Sequence, residues 1–205
     1  MTKQKPVSPF VHVGLLIAIA IVIGVGVRLW MTTEPDAPRI VSSGTALIGG
    51  PFKLVDDTGK PITDAAFRGK LMLVYFGYTY CPDICPTELS TIADALDDLK
   101  QKAKEVAPMF ITVDPARDTP AVMKAYVAHF SPDLIGLTGT PAEIAAAARA
   151  YRVYYAKIPA KDGGNDYLMD HSAFAYLMDR NGKYITHFAP GTSAKEIAST
   201  IEKYL

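Results

Sequence analysis

The sequence predicts an α/β fold, a mixed central sheet flanked by helices, behind an N-terminal transmembrane helix. Three observations carry that expectation. An uncharged apolar run lies near the start, strand-like and helix-like stretches alternate through the middle, and a strand hairpin followed by one helix closes the chain. Alternation of that kind brings parallel strands together under crossover helices, and a closing hairpin adds antiparallel strands.

Residues 1–9 form a short tail with Lys3 and Lys5. Pro6 to Val27 contains no Asp, Glu, Lys or Arg. The stretch FVHVGLLIAIAIVIGVGV is long enough, at about 1.5 Å per residue, to cross most of a hydrocarbon core of roughly 30 Å. The anchor is placed at residues 10–30, with Trp30 suited to the headgroup zone. The two lysines put the tail in the cytoplasm and the bulk of the chain in an oxidising space outside it. A cleaved signal peptide is the competing reading, but no A-x-A-like site follows and the run is long for such a segment. No cysteine lies near residue 30, which excludes a lipoprotein anchor.

Residues 31–47, MTTEPDAPRIVSSGTAL, are polar, lack apolar periodicity and read as a flexible linker. Residues 48–205 form the globular domain. PFKLVDDTGKPIT reads as strand, turn and strand. KLMLVYFG (70–77) is an almost continuous apolar run, suited to a strand buried on both faces. Leu89, Ile92, Leu96, Leu99, Ala103 and Val106 recur in steps of three and four and predict one long amphipathic helix. APMFITV (107–113) is the next strand. Thr119 as N-cap and Pro120 at the first helical position open another helix. LIGL (134–137) is a short strand. Thr140 and Glu143 form a capping box ahead of EIAAAARAY. HSAFAYLMDRNGKYITHF is a hairpin around Arg180-Asn181-Gly182. Ser193 and Glu196 form a second capping box, and the last helix runs to the C-terminus.

Acidic and basic residues number 21 each, and with no basic patch the sequence offers nucleic acid no electrostatic footprint. The chemistry lies in YFGYTYCPDICPTE, which holds the two cysteines of the chain, Cys81 and Cys85. The motif falls where a central strand ends and a helix begins, which is where open α/β sheets build sites. Helix N-terminal amides stabilise a thiolate there. Pro82 and Pro86 stiffen the loop, and one helical turn between the cysteines puts both sulfurs on one side. Such a pair can close a disulfide or share a soft metal.

A metal needs a third ligand. His12 lies in the apolar segment, His129 ends a helix and His187 ends the last strand, so all three read as structural or solvated. His171 stands in YLMDHSAF, after a Gly-rich loop (Lys161–Asp166) and directly after Asp170. It is either a ligand or a hydrogen-bonded histidine at a strand start. Two thiolates and an imidazole suit Cu(I), or Cu(II) with an added oxygen donor. Structural zinc usually takes four protein ligands and no fourth is evident; a zinc site with an open position is the remaining metal reading.

YFGYTYCPDICP, ITVDPARDTP (111–120) and YLMDHSA (167–173) together resemble the SCO (SenC/PrrC) family of cytochrome c oxidase assembly proteins. GGPFKLVDDTGKPIT is similar to that family's first hairpin, and the likeness runs from Gly49 to Leu205. Tyr80 stands where many members carry His or Phe. The resemblance implies a thioredoxin-like fold and one copper ion held by Cys81, Cys85 and His171, with Cys81 and Cys85 also able to form a redox disulfide. It implies delivery of copper to the CuA centre of cytochrome c oxidase subunit II by a metallochaperone that is not an enzyme. It also implies a single-pass protein of the bacterial inner membrane with its domain in the periplasm. A thioredoxin-like thiol reductase and another periplasmic copper chaperone are the further expected partners.

Asp170 is expected to orient His171. Asp83 is expected to tune the thiolates, or to be a solvated helix-start charge. Arg117 and Asp118 are expected to make a structural turn and cap. The alternative functions are a thiol-disulfide oxidoreductase that reduces the CuA cysteines, or a copper or redox sensor. An ordinary thioredoxin role is disfavoured: the cysteine spacing is one residue too long, and no proline stands just before the 172–178 strand. A peroxidase would need a T-x-x-C motif, which is lacking.

Overall fold

The computed structural model describes residue 19 and residues 21–28, 47–159 and 166–205. The chain divides into two units, residues 1–44 and residues 45–205. In the first, residues 19 and 21–28 are helical (α1). Among the described residues no helix is long and apolar enough to cross a membrane. The expected tail, most of the expected anchor, nearly all of the linker and residues 161–165 of the Gly-rich loop lie outside the described residues.

The second unit is built on a seven-stranded mixed sheet. Its strands are β1 (Lys53–Asp56), β2 (Pro61–Thr63), β3 (Leu71–Gly77), β4 (Val106–Thr112), β5 (Ile135–Thr138), β8 (Ala175–Met178) and β9 (Tyr184–Phe188), in the spatial order β2-β1-β5-β4-β3-β8-β9. β6 (Tyr155–Pro159) and β7 (Tyr167–His171) make a separate two-stranded ribbon. The helices are α2 (Ile84–Leu99), α3 (Pro120–Val127), α4 (Pro141–Ala150) and α5 (Ala194–Glu202). α2 and α5 pack together, α3 lies against β5 and α4 against β1. This is the expected mixed sheet flanked by helices, an arrangement consistent with a thioredoxin-like fold.

β3 is the spine of the domain. It pairs in parallel with β4 and antiparallel with β8, so Tyr75 sits between Phe110 and Ala175. Every residue of β3 and of β4 is buried. A strand with neighbours on both edges and helices over both faces has no wet side, which is why KLMLVYFG reads as a continuous apolar run and does not alternate.

The helix starts follow the capping chemistry. Thr119 Oγ1 accepts the Val122 amide at 3.4 Å, and both halves of the Thr140–Glu143 box are present. At α5, Ser193 Oγ accepts the Glu196 amide at 3.3 Å, which is the half of the expected box that is formed.

Three elements differ from expectation. α2 ends at Leu99, where Lys100 takes φ 53°, and Lys100–Glu105 continue as 3-10 turns. Val106, the last residue of the apolar stripe, opens β4 opposite Leu71; pairing with β3 overrides the helical period there. The ribbon strand β6 was not expected at all. His171 ends β7, whereas it was expected to open the closing hairpin, which begins at Ala175.

Candidate metal centre

The site is assembled by the end of β3, the start of α2 and the end of β7. Beyond Gly77 the chain runs through Tyr78, Thr79 and Tyr80 to Cys81, and Cys85 falls in the first turn of α2. Both thiols are free; Cys81 is half-buried and Cys85 fully buried. The ligand atoms of Cys81, Cys85 and His171 all lie within 4.8 Å of one another. His171 Nε2 is 3.3 Å from Cys85 Sγ. Its Nδ1 is 3.2 Å from the carbonyl oxygen of Ser172. A carbonyl only accepts, so Nδ1 carries a proton, and Nε2 is the ring nitrogen that faces the sulfurs. Two tyrosines wall the ring edge-on, Tyr75 at 6.4 Å and Tyr78 at 5.9 Å between centroids.

The two thiols have opposite tendencies. Cys81 is brought down to about 3, first because the Cys85 side chain bonds to it, then because His171 and the amides of Asp83 and Cys85 do; burial opposes them. The Cys85 amide lies 3.4 Å from Cys81 Sγ. Cys85 is pushed up by the same bond to Cys81, by burial and by the charge on Cys81, with the Tyr78 amide acting the other way. These opposite directions make Cys81 the more acidic thiol of the pair and Cys85 the one that holds its proton more tightly. In the reduced protein, alkylation by iodoacetamide is expected to fall on Cys81, at a rate almost independent of pH between about 5 and 8. A rate rising tenfold per pH unit through that range would show that Cys81 is an ordinary thiol.

Gly77 makes room for the buried sulfur. A Cβ on Gly77 would stand 2.7 Å from Cys85 Sγ and 2.8 Å from Phe110 Cε2. Gly77→Ala is expected to displace that sulfur, to destabilise the domain by about 1–3 kcal/mol and to weaken metal binding. Denaturant melts and a metal titration measure the two effects; unchanged values in both would mean the sulfur is not confined there.

The second motif carries a role that the sequence reading missed. The turn expected at Arg117 and Asp118 is present: the amides of both bond to the Asp114 carbonyl, at 3.2 and 3.0 Å. The α3 cap, however, is Thr119. Asp118 points inward and is fully buried. Its carboxylate accepts from the Thr79 amide at 3.1 Å, from Thr79 Oγ1 at 2.6 Å and from Thr112 Oγ1 at 2.5 Å. That fastens the loop two residues ahead of Cys81 to β4. The Arg117 guanidinium lies over the rings of Tyr167, Tyr80 and Tyr78 at 3.8, 4.7 and 5.8 Å. It also ion-pairs with Asp114 and donates to the Tyr167 carbonyl at 3.0 Å. The Tyr167 hydroxyl donates to Asp114 at 2.8 Å. Arg117 thus clamps the ribbon that carries His171 onto the cysteine loop.

Asp170 stands away from the expected contact, and Asp83 is the solvated helix-start charge of its alternative reading. Asp170 is exposed on β7, where neighbouring side chains point to opposite faces, and the contact that orients His171 is made by Ser172. Asp83 sits exposed at the N-cap of α2 without a side-chain cap bond; its amide, not its carboxylate, serves Cys81. His187 bonds Tyr184 within β9 at 2.5 Å, His129 is exposed, and His12 lies outside the described residues.

A mixed sheet that presents two thiols at a helix start, beside an imidazole nitrogen aimed at them, defines a thiol protein able to hold a soft metal ion or to close a disulfide. The chain belongs to the SCO1/SenC family, whose model matches residues 41–205. The SCO2-like protein of Rickettsia felis is 40% identical over 189 residues, covering 89% of this chain and 92% of its own length. The structure of Bradyrhizobium japonicum ScoI with copper bound is 49% identical, with a TM-score of 0.72, over 77% of this chain and 99% of that one. Mitochondrial SCO1 and SCO2 proteins are also among the relatives. BsSco, a member of the Sco family of cytochrome c oxidase assembly proteins in which a disulfide switch has been identified, shares the fold at 23% identity and a TM-score of 0.61 over 78% of this chain and 95% of that one.

Proposed function

We propose that this protein is a membrane-anchored copper metallochaperone. It binds Cu(I) or Cu(II) through Cys81, Cys85 and His171 and helps assemble the CuA centre of cytochrome c oxidase subunit II. The observation that carries the reading is the convergence of two sulfurs and an imidazole nitrogen within 4.8 Å. The copper-bound relative at 49% identity supports the choice of ion. Two soft thiolates favour Cu(I), and the imidazole makes Cu(II) admissible. Taking up copper as a dithiolate releases to solvent the thiol protons that the pair still holds. Transfer then proceeds by exchange of these sulfurs for the acceptor's ligands, with no net redox change.

In this reading residues 10–30 anchor the chain in a bacterial inner membrane, with residues 1–9 in the cytoplasm. Residues 31–47 tether the periplasmic domain near its acceptor. A thioredoxin-like reductase keeps the thiols reduced, and a second periplasmic chaperone supplies copper.

A second reading is favoured by the asymmetry of the pair. A half-exposed thiolate at Cys81 and a buried thiol at Cys85 are the nucleophile and resolving group of a dithiol reductant. It would reduce the CuA cysteines, both of its own thiols ending as the disulfide. One experiment separates the two. The reduced full-length chain in detergent is loaded with copper and mixed with the metal-free subunit II domain. CuA absorbance with metal transfer supports the chaperone; consumption of thiols by an oxidised acceptor without copper supports the reductant. Thiol consumption without metal transfer would overturn the chaperone reading, and the absence of both results would overturn both readings.

A further inference from the structure

Tyr75 is a buried phenol that the copper site, as described, does not use. It lies in the middle of β3, 0% exposed. Its ring stacks on Phe110, with 6.1 Å between centroids, and stands edge-on to His171. Tyr75 Cε1 is 3.3 Å, and Cys85 Sγ 2.7 Å, from the point that a Cβ on Gly77 would occupy. The phenol and the sulfur therefore share one wall of the site. Yet among the described residues the Tyr75 hydroxyl makes no hydrogen bond of good geometry, although the Cys85 side chain lies close enough to act on it. Glu88, the buried carboxylate on the same helix as Cys85, has Oε1 engaged by the Gly191 amide at 2.9 Å.

A buried hydroxyl without a partner is uncommon in a native fold, and each instance asks for a state in which it is satisfied. Phenylalanine would fill the same volume with nothing left unpaired. Once both sulfurs bind a metal, Cys85 is a thiolate, and hydrogen bonds to charged acceptors are the strong ones.

We propose that Tyr75 is a positioning residue of the copper site, whose hydroxyl donates a hydrogen bond to the Cys85 sulfur when that sulfur is a metal-bound thiolate. The bond fixes the sulfur against the wall formed by Gly77 and Phe110. It also lowers the energy of the sulfur lone pairs that donate to the metal. The inference rests on the copper reading and deepens it.

Tyr75→Phe in the full-length chain tests it. Cu(I) affinity is measured by competition with a chromophoric chelator, and the thiolate-to-copper charge-transfer band is recorded with Cu(II). The variant is expected to bind Cu(I) about tenfold more weakly, the range for losing a partner behind a metal ligand. Its band should move to longer wavelength, because the sulfur donor level rises when the bond is lost. A folded variant with wild-type affinity and band position overturns the proposal. Weaker binding with an unmoved band also overturns it, since packing alone would do that. Should the variant fail to fold, the wild-type protein decides. Loading with redox-inert Ag(I) should bring out a Tyr75 hydroxyl proton resonance protected from solvent exchange, and its absence overturns the proposal. Failure of the wild-type chain to bind copper at all would remove the copper reading first, which distinguishes the two failures.

Discussion

Replacing His171 with alanine is expected to weaken Cu(II) binding by roughly 100-fold or more and Cu(I) binding by only about tenfold, the difference following from the preferences of the two ions for ligand number and softness. Cys81 and Cys85 alone give Cu(I) the two soft ligands it accepts at low coordination. Cu(II) wants more donors and harder ones, and Nε2 is the nitrogen aimed at the pair, 3.3 Å from the Cys85 sulfur. The fold should survive. The ring is part-buried at the end of β7, and its loss forfeits edge-on contacts with Tyr75 and Tyr78, together about 1–2 kcal/mol. Parallel titrations with the two ions, alongside a thermal melt, measure the effect. Equal loss for both ions would mean His171 holds the loop and not the metal. Retained reduction of a disulfide substrate by the variant would separate the dithiol chemistry from the metal chemistry, because thiol exchange has no need of Nε2.

The cysteines drew attention by their position, whereas for His171 the residues alone left two readings open until the family resemblance chose between them. The cysteines fall at the junction of a buried run and a helix start, and His171 follows a glycine-rich loop. Their supporting residues were not legible, because support depends on which way a side chain faces. Asp170 looked like an orienting carboxylate only while His171 was read as a strand start. With β7 paired so that Tyr155 opposes His171 and Ala156 opposes Asp170, the two neighbours face opposite ways. The β6–β7 ribbon itself gave no pattern to read. Tyr154, Ile158 and Leu168 are exposed although apolar, so neither alternation nor a continuous run marks these strands. Likewise the stripe through Ala103 and Val106 kept its helical period past Leu99, and the parallel pairing of β3 with β4, a contact between distant segments, decided where the helix stopped. Arg117 and Asp118 were visible as a turn. That Asp118 turns inward to hold Thr79, 39 residues away, is a tertiary fact with no local counterpart.

Removing the Asp118 carboxylate should therefore reach the metal site without touching a ligand. In Asp118→Ala the Thr79 amide, Thr79 Oγ1 and Thr112 Oγ1 lose their acceptor in the interior. Unsatisfied buried donors of this kind cost about 1–3 kcal/mol each. Since the hydroxyls can rotate to other partners, a total near 2–4 kcal/mol is expected, a large share of a typical domain's stability. Thr79 is then free to move, and Cys81 with it, so copper affinity should fall together with stability. Asp118→Asn keeps the shape and one accepting oxygen, and should lose less.

The pH dependence separates charge from shape. Burial raises the Asp118 pKa above its usual value, with Asp114 adding to the rise and the bonds from Thr112 and Thr79 opposing it. A raised carboxyl pKa contributes stability that is fully present below the unfolded value, about 3.8, and is lost as pH rises through the folded value. The wild-type domain should lose that contribution as pH rises above the unfolded value, and Asp118→Asn should show no such loss. Denaturant midpoints for both proteins at a series of pH values test this. Parallel curves for the two would show that the carboxylate is held charged at no net cost, and that its bonds to Thr79 and Thr112 fully offset its burial.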